Sequence, residues 1–230
     1  MDSKSGDIPG ITVTGEAVLV RKPDVAYVSL FIRSDGTLLQ DALRENAATV
    51  DQVRHALLDA YPEIRDIEVE DVFMGEGRHA TGLVGDKATI ARPEVVRSFL
   101  VTIPPDQVLG IAIADRAMRL GCLMKNPIPF LGGLNSQSTI VFALVEPATA
   151  KDDALKEALA NAKDKAQRIA GFMGKNIGAI ERVSVLESPG SFEMMRQSRH
   201  TAWSRIKYLS NSADGIEISA KISVTFRLAD

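Results

Sequence analysis

The sequence Gly215-Ile-Glu-Ile-Ser-Ala-Lys-Ile-Ser-Val-Thr-Phe-Arg-Leu-Ala-Asp230 closes the chain and alternates apolar with polar side chains. Successive side chains of a β-strand point to opposite faces of its sheet, so this stretch predicts one long strand. One face of the strand is apolar and the other is polar. This pattern is typical of an antiparallel sheet that is covered on one side only.

Similar patterns predict further strands and three helices upstream of this strand. The predicted strands cover residues 11–20, 25–33, 67–73, 95–103, 139–145 and 177–187, and the predicted helices cover residues 37–61, 104–120 and 149–173. The order of these elements predicts the α+β class. We expect a mainly antiparallel sheet with long helices packed on one face, built from βαββ-type pseudo-repeats.

Turn residues predict how neighbouring strands connect. Residues 21–24, Arg-Lys-Pro-Asp, are turn formers and are expected to join the first two strands as a hairpin in the middle of the sheet. Residues 74–92 contain four glycines and no clear period, so they are expected to be a long hairpin connection.

Capping residues predict where the helices begin and end. The expected starts are a capping box of Thr37 with Gln40, the pair Pro104 and Pro105, and the caps Thr149 and Asp152. Gly121 and Gly174 stand where left-handed C-caps belong. In the last helix every fourth residue from Ala154 to Ala170 is alanine, which predicts close packing against a neighbour.

The composition is that of an ordinary soluble globular protein. The 230 residues are 45% hydrophobic and 25% charged, and the formal charge of −3 gives no overall attraction for nucleic acid. The length suits a single domain over residues 11–230 or two small intertwined ones. Residues 1–10 are expected to be disordered or extended.

One cysteine and the absence of long apolar runs limit the remaining classes. Cys122 alone excludes an internal disulfide or an all-cysteine metal site, and we expect it to be a small buried hydrophobe. No apolar run reaches the roughly 20 residues of a transmembrane helix. As written, the chain is expected to be cytoplasmic; if a leader was removed, it is periplasmic or secreted.

Three segments together resemble the SIMPL domain family, also called DUF541. They are residues 11–20 with the Lys-Pro-Asp turn that follows, the alanine-rich residues 154–170 with Gly174 and Gly178 beyond them, and the closing strand. The resemblance spans nearly the whole chain. The sequence departs from the family pattern at Ala17, where a second glycine is common, and in showing no secretion signal.

The resemblance implies a role without catalysis. The family has no established enzymatic activity, its bacterial members are linked to oxidative-stress defence, and at least one resembles a building block of a channel-like ring. It therefore implies a self-assembling protein with a stress-related, scaffolding or binding role. No catalytic residue and no cofactor are carried over from it.

The residues themselves give only weak indications of chemistry. Glu76, His79 and His200 could meet in space, but their spacing matches no metal motif, so no metal site is predicted. An enzyme with a site near His79 and His200 stays open as an alternative. The glycines at 75 and 77 do not stand in a strand-to-helix turn, which argues against a phosphate-binding loop.

Residues 188–213 are the most suggestive segment for binding. The single tryptophan lies there among cationic residues, a mixture that is enriched at protein interfaces and that also stacks nucleobases. The segment packs on its own domain, contacts another subunit, or binds a ligand or nucleic acid, the last being the least expected. The residues predicted for this interaction surface are Arg196, Arg199, Trp203, Arg205 and Tyr208.

The polar face of the closing strand is a second place for a subunit contact. If the uncovered side of the sheet meets a neighbouring subunit, Glu217, Lys221 and Arg227 would lie at or near that contact. The sequence thus predicts a homo-oligomer, with a protein partner as an alternative.

Overall fold

The computed structural model describes residues 10–80, 89–124, 139–186 and 208–229 of the chain. The predicted α+β class is confirmed, with antiparallel sheets and helices packed on one face of each. The described elements are β1 (Gly10–Arg21), β2 (Val25–Asp35), α1 (Leu39–Ala60), β3 (Asp66–Ala80), β4 (Thr89–Ile103), α2 (Gln107–Arg119), β5 (Ile140–Ala143), α3 (Ala148–Phe172), β6 (Asn176–Val185), β7 (Leu209–Ser210) and β8 (Ile216–Ala229).

The chain divides into two compact units that interleave along the sequence. The first unit comprises Met1–Arg21, Glu146–Met194 and Gly215–Asp230, and the second comprises Lys22–Val145 and Met195–Asp214. The first holds β1, β6, β8 and α3, and the second holds the remaining elements. None of the helices in the described ranges is long and apolar enough to cross a bilayer.

The first unit is a three-stranded antiparallel sheet in the order β1-β8-β6, with α3 on one face. The alternation of the closing strand is confirmed, because Ile216, Ile218 and every second residue to Phe226 are buried while the intervening polar residues face outward. The alanines of α3 are buried as well, from Ala150 to Ala170 at every fourth position. This confirms that the stripe is the packing face of the helix.

Gly15 marks the closest approach between β1 and α3. A Cβ built on Gly15 would collide with the carbonyl oxygen of Ala158 and would lie 2.8 Å from the Cβ of Ala162. Only a glycine on the strand and alanines on the helix allow this spacing. The Gly-Glu segment of β1 and the alanine-rich helix therefore form one packed joint.

The second unit is a five-stranded antiparallel sheet in the order β3-β4-β2-β5-β7. Helices α1 and α2 cover the face that carries Val28, Leu30 and Phe99, and these side chains form the main core. Asn46 of α1 is fully buried and donates hydrogen bonds to the carbonyl oxygens of Ile32 (3.2 Å) and Val95 (3.3 Å). This amide ties α1 to β2 and β4.

The predicted hairpin between the first two strands is wrong. β1 pairs along its whole length with β8, while β2 pairs with β4 and β5 in the other sheet. β2 is buried on both faces over much of its length, so it needs a neighbour on each side. The segment after Arg21 links the two units instead of folding β1 back on β2.

The helices begin and end within three residues of the predicted positions, but the capping residues predicted for α1 and α3 are wrong. α1 begins after Leu38 with no side-chain cap, and α3 begins after Pro147 with none, so Thr37, Thr149 and Asp152 do not act as N-caps. Helix α2 begins after Pro104 and Pro105, with Asp106 as its cap. Gly121 (φ +93°) and Gly174 (φ +66°) adopt the expected left-handed conformation.

The predicted connection at residues 74–92 is shorter than expected. Most of it belongs to β3 and β4, which pair as far as Ala80 and Thr89. An irregularity between Val69 and Val72 offsets the register of β3 against β4.

Candidate interaction surface

Most of the residues predicted for the interaction surface lie outside the described part of the chain. Arg196, Arg199, Trp203 and Arg205 belong to the range 187–207, as does His200. Tyr208 is described and is partly buried just before β7. The strand β7 pairs with β5, so the end of the segment at residues 188–213 joins the sheet of the second unit. The role of the segment stays a prediction.

The alternative site near His79 and His200 stays a prediction, because neither side chain lies in the described part of the chain. His79 lies in β3 with its backbone opposite Ile90, and its side chain is outside what is described. Among the described residues, no three His, Cys, Asp or Glu side chains are grouped to hold a metal ion. Cys122 is buried as predicted, and burial raises the pKa of its thiol to about 11, which disfavours the reactive thiolate.

The glycines at 75 and 77 serve a strand and not a phosphate-binding loop. Gly77 lies in β3 opposite Arg92, and an added Cβ would collide with the carboxylate of Glu94. That carboxylate forms an ion pair of 2.7 Å with Arg33. Gly77 leaves room for this ion pair against the backbone.

The outer edge of β1 is occupied by side chains of α3. The Nζ of Lys165 donates to the carbonyl oxygen of Thr14 at 3.0 Å, and the backbone N–H of Glu16 donates to the Oδ1 of Asn161 at 3.3 Å. These two backbone groups are already bonded and are not offered to another strand. The middle of this edge of the first sheet is therefore protected.

The strand β6, at the other edge, is exposed along almost its whole length. Its apolar side chains Ile180, Val183 and Val185 are 47%, 51% and 54% exposed. They lie opposite the buried Phe226, Val224 and Ile222 of β8 and therefore share their side of the sheet. Helix α3 packs mainly over β1 and β8, which leaves these β6 side chains uncovered. We call this row of three residues the β6 apolar row.

Two register offsets in β6 determine where its side chains point. Ile180 lies opposite Phe226, whereas Arg182 lies opposite Thr225, so Glu181 is an extra residue of a β-bulge. Glu181 accepts a hydrogen bond of 2.7 Å from the Nε of Arg227, on the face away from α3. Ile180 and Val183 thus point to the helix side, and Glu181 and Arg182 point to the other side.

The face away from α3 is polar and its charges pair within the sheet. Lys221 on β8 and Glu16 on β1 lie opposite each other, and the Nζ of Lys221 is 2.6 Å from the Oε1 of Glu16. The hydrogen bond and the charge of Lys221 lower the pKa of Glu16. Two charged residues predicted near a subunit contact, Lys221 and Arg227, are thus engaged inside their own sheet.

The sequence did not single out the β6 apolar row. A strand was predicted there, but its alternation is interrupted where Glu181 and Arg182 follow each other. Adjacent opposite charges inside an otherwise apolar strand are the signal that could have indicated the bulge.

These features define an α+β protein with a three-stranded sheet whose β1 edge is contacted by α3 and whose β6 edge pairs with no other described strand. A family model described as SIMPL, protein of unknown function (DUF541), matches residues 11–226. The chain belongs to this family. Gly15 and the alanine stripe, on which the family resemblance rested, are the residues that pack β1 against α3.

Two curated relatives are similar to most of the chain. The 26 kDa periplasmic immunogenic protein of Brucella abortus is 23% identical over 184 residues, which is 78% of this chain and 67% of the relative. The protein of the same description from Brucella melitensis biotype 1 is 23% identical over 179 residues, with the same shares.

Proposed function

We propose that the protein acts without catalysis, as a self-assembling scaffold or binding protein. The observation that supports this most directly is the β6 apolar row on an open sheet edge. Exposed apolar side chains are ordinary when they are scattered, but a contiguous row along an unpaired strand is a surface for association. Burying the row against a partner removes apolar area from water.

The contrast between the two edges of the same sheet supports this proposal. Side chains of α3 bond two outward backbone groups of β1, whereas within the described ranges no strand pairs with the outer edge of β6. Natural sheets usually protect their edges against other chains. The β6 edge, which no described strand covers, is therefore the edge that we propose for a partner.

The test is the mass of the protein in solution. We expect light scattering coupled to size exclusion to give a mass above that of a monomer at micromolar concentration. Val183→Lys should lower that mass, because it places a charge in the β6 apolar row. Val18→Lys is the matched control, since Val18 is 62% exposed but lies on the face away from α3. A wild-type protein that stays monomeric at several hundred micromolar would refute self-assembly.

We propose the periplasm as the place of action, with a stress-related role. The Brucella relatives carry the word periplasmic in their description, and the family resemblance links bacterial members to oxidative stress. Fractionation of cells that express the native gene should recover the protein with periplasmic markers. Recovery with cytoplasmic markers would favour the alternative location.

The stress role has its own test in cells. A strain without the gene should survive peroxide less well than its parent, and the wild-type gene should restore survival. If assembly is needed, Val183→Lys should restore less than Val18→Lys does at equal protein level. Equal survival of the deletion strain and its parent would contradict the stress role and leave the assembly proposal intact.

A further inference from the structure

We propose that β6 pairs edge to edge, antiparallel, with β6 of a second copy of this chain, about a two-fold axis between Glu181 and Arg182. This inference rests on the proposed self-assembly and names its contact. The two three-stranded sheets would join into one sheet in the order β1-β8-β6-β6-β8-β1.

The choice of a second β6 as the partner edge follows from the edges of this sheet. Lys165 and Asn161 of α3 bond to the middle of the β1 edge, so a second copy that paired there would have to displace them. A two-fold contact uses the same surface on both copies and needs only one open edge. Strand β6 is that edge in the first unit.

The short segment Ile180-Glu-Arg-Val183 is complementary to itself. Its order is apolar, acidic, basic, apolar, so an antiparallel copy sets Ile180 opposite the partner subunit's Val183. The same register sets Glu181, whose Oε1 already accepts from Arg227 of its own sheet, opposite the partner subunit's Arg182, and this contact occurs twice. Directly opposed residues of opposite charge stabilise antiparallel strands.

The bulge makes this register consistent with the faces of the sheet. Opposed residues of an antiparallel pair point to the same face. In a regular strand Ile180 and Val183 would point to opposite faces, but the extra residue at Glu181 puts both on the helix side. It likewise puts Glu181 and Arg182 together on the other side. The register therefore matches apolar with apolar and acid with base on each face.

The apolar side chains gain cover in this arrangement. Each α3 lies over its own β1 and β8, so the two helices would stand on either side of the paired β6 strands. The β6 apolar rows of both copies would line the groove between them.

Charge reversal provides the test, measured by analytical ultracentrifugation of the full chain. Arg182→Glu gives a strand with two adjacent acids, and Glu181→Arg gives one with two adjacent bases. Each variant alone should self-associate about tenfold more weakly than wild type, because like charges oppose each other twice. An equimolar mixture of the two variants should associate about as strongly as wild type, since every opposed pair is then acid with base.

Controls separate this contact from folding and from net charge. Glu217→Lys changes an exposed charge of β8 on the same polar face and should leave self-association unchanged. Thermal unfolding should show a folded protein for Arg182→Glu, whose residue is exposed, and should measure the cost of losing the ion pair with Arg227 in Glu181→Arg. Val183→Lys, in the apolar half of the contact, should also weaken association. Mixing Val183→Lys with either charge variant should not restore it.

The outcomes distinguish this inference from the proposed function. If wild type assembles and both single variants assemble equally well, the β6 pairing is wrong while self-assembly stands. If the variants dissociate but their mixture does not reassociate, the register is wrong. If wild type is monomeric throughout, self-assembly itself fails.

Discussion

At the scale of single residues, Gly15 allows β1 to pack closely against α3. Gly15→Ala should lower the free energy of unfolding by about 1–3 kcal/mol, because its Cβ would overlap the backbone of α3 at Ala158. Gly171→Ala is the control within α3, since nothing lies within 4 Å of its added Cβ. Helix propensity should make this variant equally stable or more stable, by up to about 1 kcal/mol. Urea denaturation measures both, and equal stability of Gly15→Ala and wild type would contradict the packed joint.

The ion pair of Glu16 with Lys221 should make stability depend on acid pH. The pKa of Glu16 is lowered from 4.5 in the folded protein, so the contribution of the pair is fully present above that pH. It is lost as the pH falls through the lowered pKa. As the pH falls from about 6 to about 3, the free energy of unfolding of Lys221→Met should therefore decrease less than that of wild type.

Lys151→Met is the control for the pH experiment. Lys151 is exposed on α3, so its removal changes the net charge equally. The pH profile of this control should follow that of wild type. If Lys221→Met and Lys151→Met give the same profile, the Glu16 pair has no part in the acid dependence.

At the scale of elements, a helix start with a side-chain cap should be more sensitive to mutation than a start without one. Asp106 accepts hydrogen bonds from the N–H groups of Val108 (2.8 Å) and Leu109 (3.1 Å). Asp106→Ala should therefore cost about 0.5–2 kcal/mol of stability. Thr37→Ala should cost less than about 0.5 kcal/mol, because α1 begins without a side-chain cap. A larger loss for Thr37→Ala than for Asp106→Ala, in urea denaturation, would contradict these assignments.

The elements that the sequence predicted well are those with a local cause. The alternation of β8 and the alanine stripe of α3 each follow from a period along a single segment, and both were confirmed. The partner of β1 was not predictable in this way. Its residues pair with a strand about two hundred positions later, and a turn-forming sequence after Arg21 gave a stronger local signal for a hairpin.

The candidate surface shows the same limit. A strand at β6 was predicted, but its exposure depends on where α3 lies and its facing depends on two register offsets. Neither the position of α3 nor the register offsets can be inferred from a periodic pattern in the sequence. The aromatic and basic residues at 188–213 attracted attention by composition alone, and only Tyr208 among the predicted contacts lies in the described ranges. Composition finds unusual segments, whereas packing decides which surfaces remain open.

At the scale of the whole molecule, the first unit is assembled from three distant parts of the chain. The opening strand and the closing strand pair along their full length, and the middle part supplies α3 and β6. β8 lies between β1 and β6, so the last residues of the chain hold the sheet together. An interrupted β8 would leave β1 and β6 without their shared neighbour.

Assembly beyond a pair would require a second surface, because a two-fold contact through β6 closes on itself. Phe172, at the end of α3, is 89% exposed, and the exposed Ile169 lies three residues before it on the same side of the helix. If larger species form, Phe172→Ser should remove them and leave the pair, whereas Arg182→Glu should weaken the pair itself. The exposure of Phe172 means that its loss should shift the free energy of unfolding by less than about 0.5 kcal/mol. Analytical ultracentrifugation resolves the species, and an unchanged distribution for Phe172→Ser would place the second contact elsewhere.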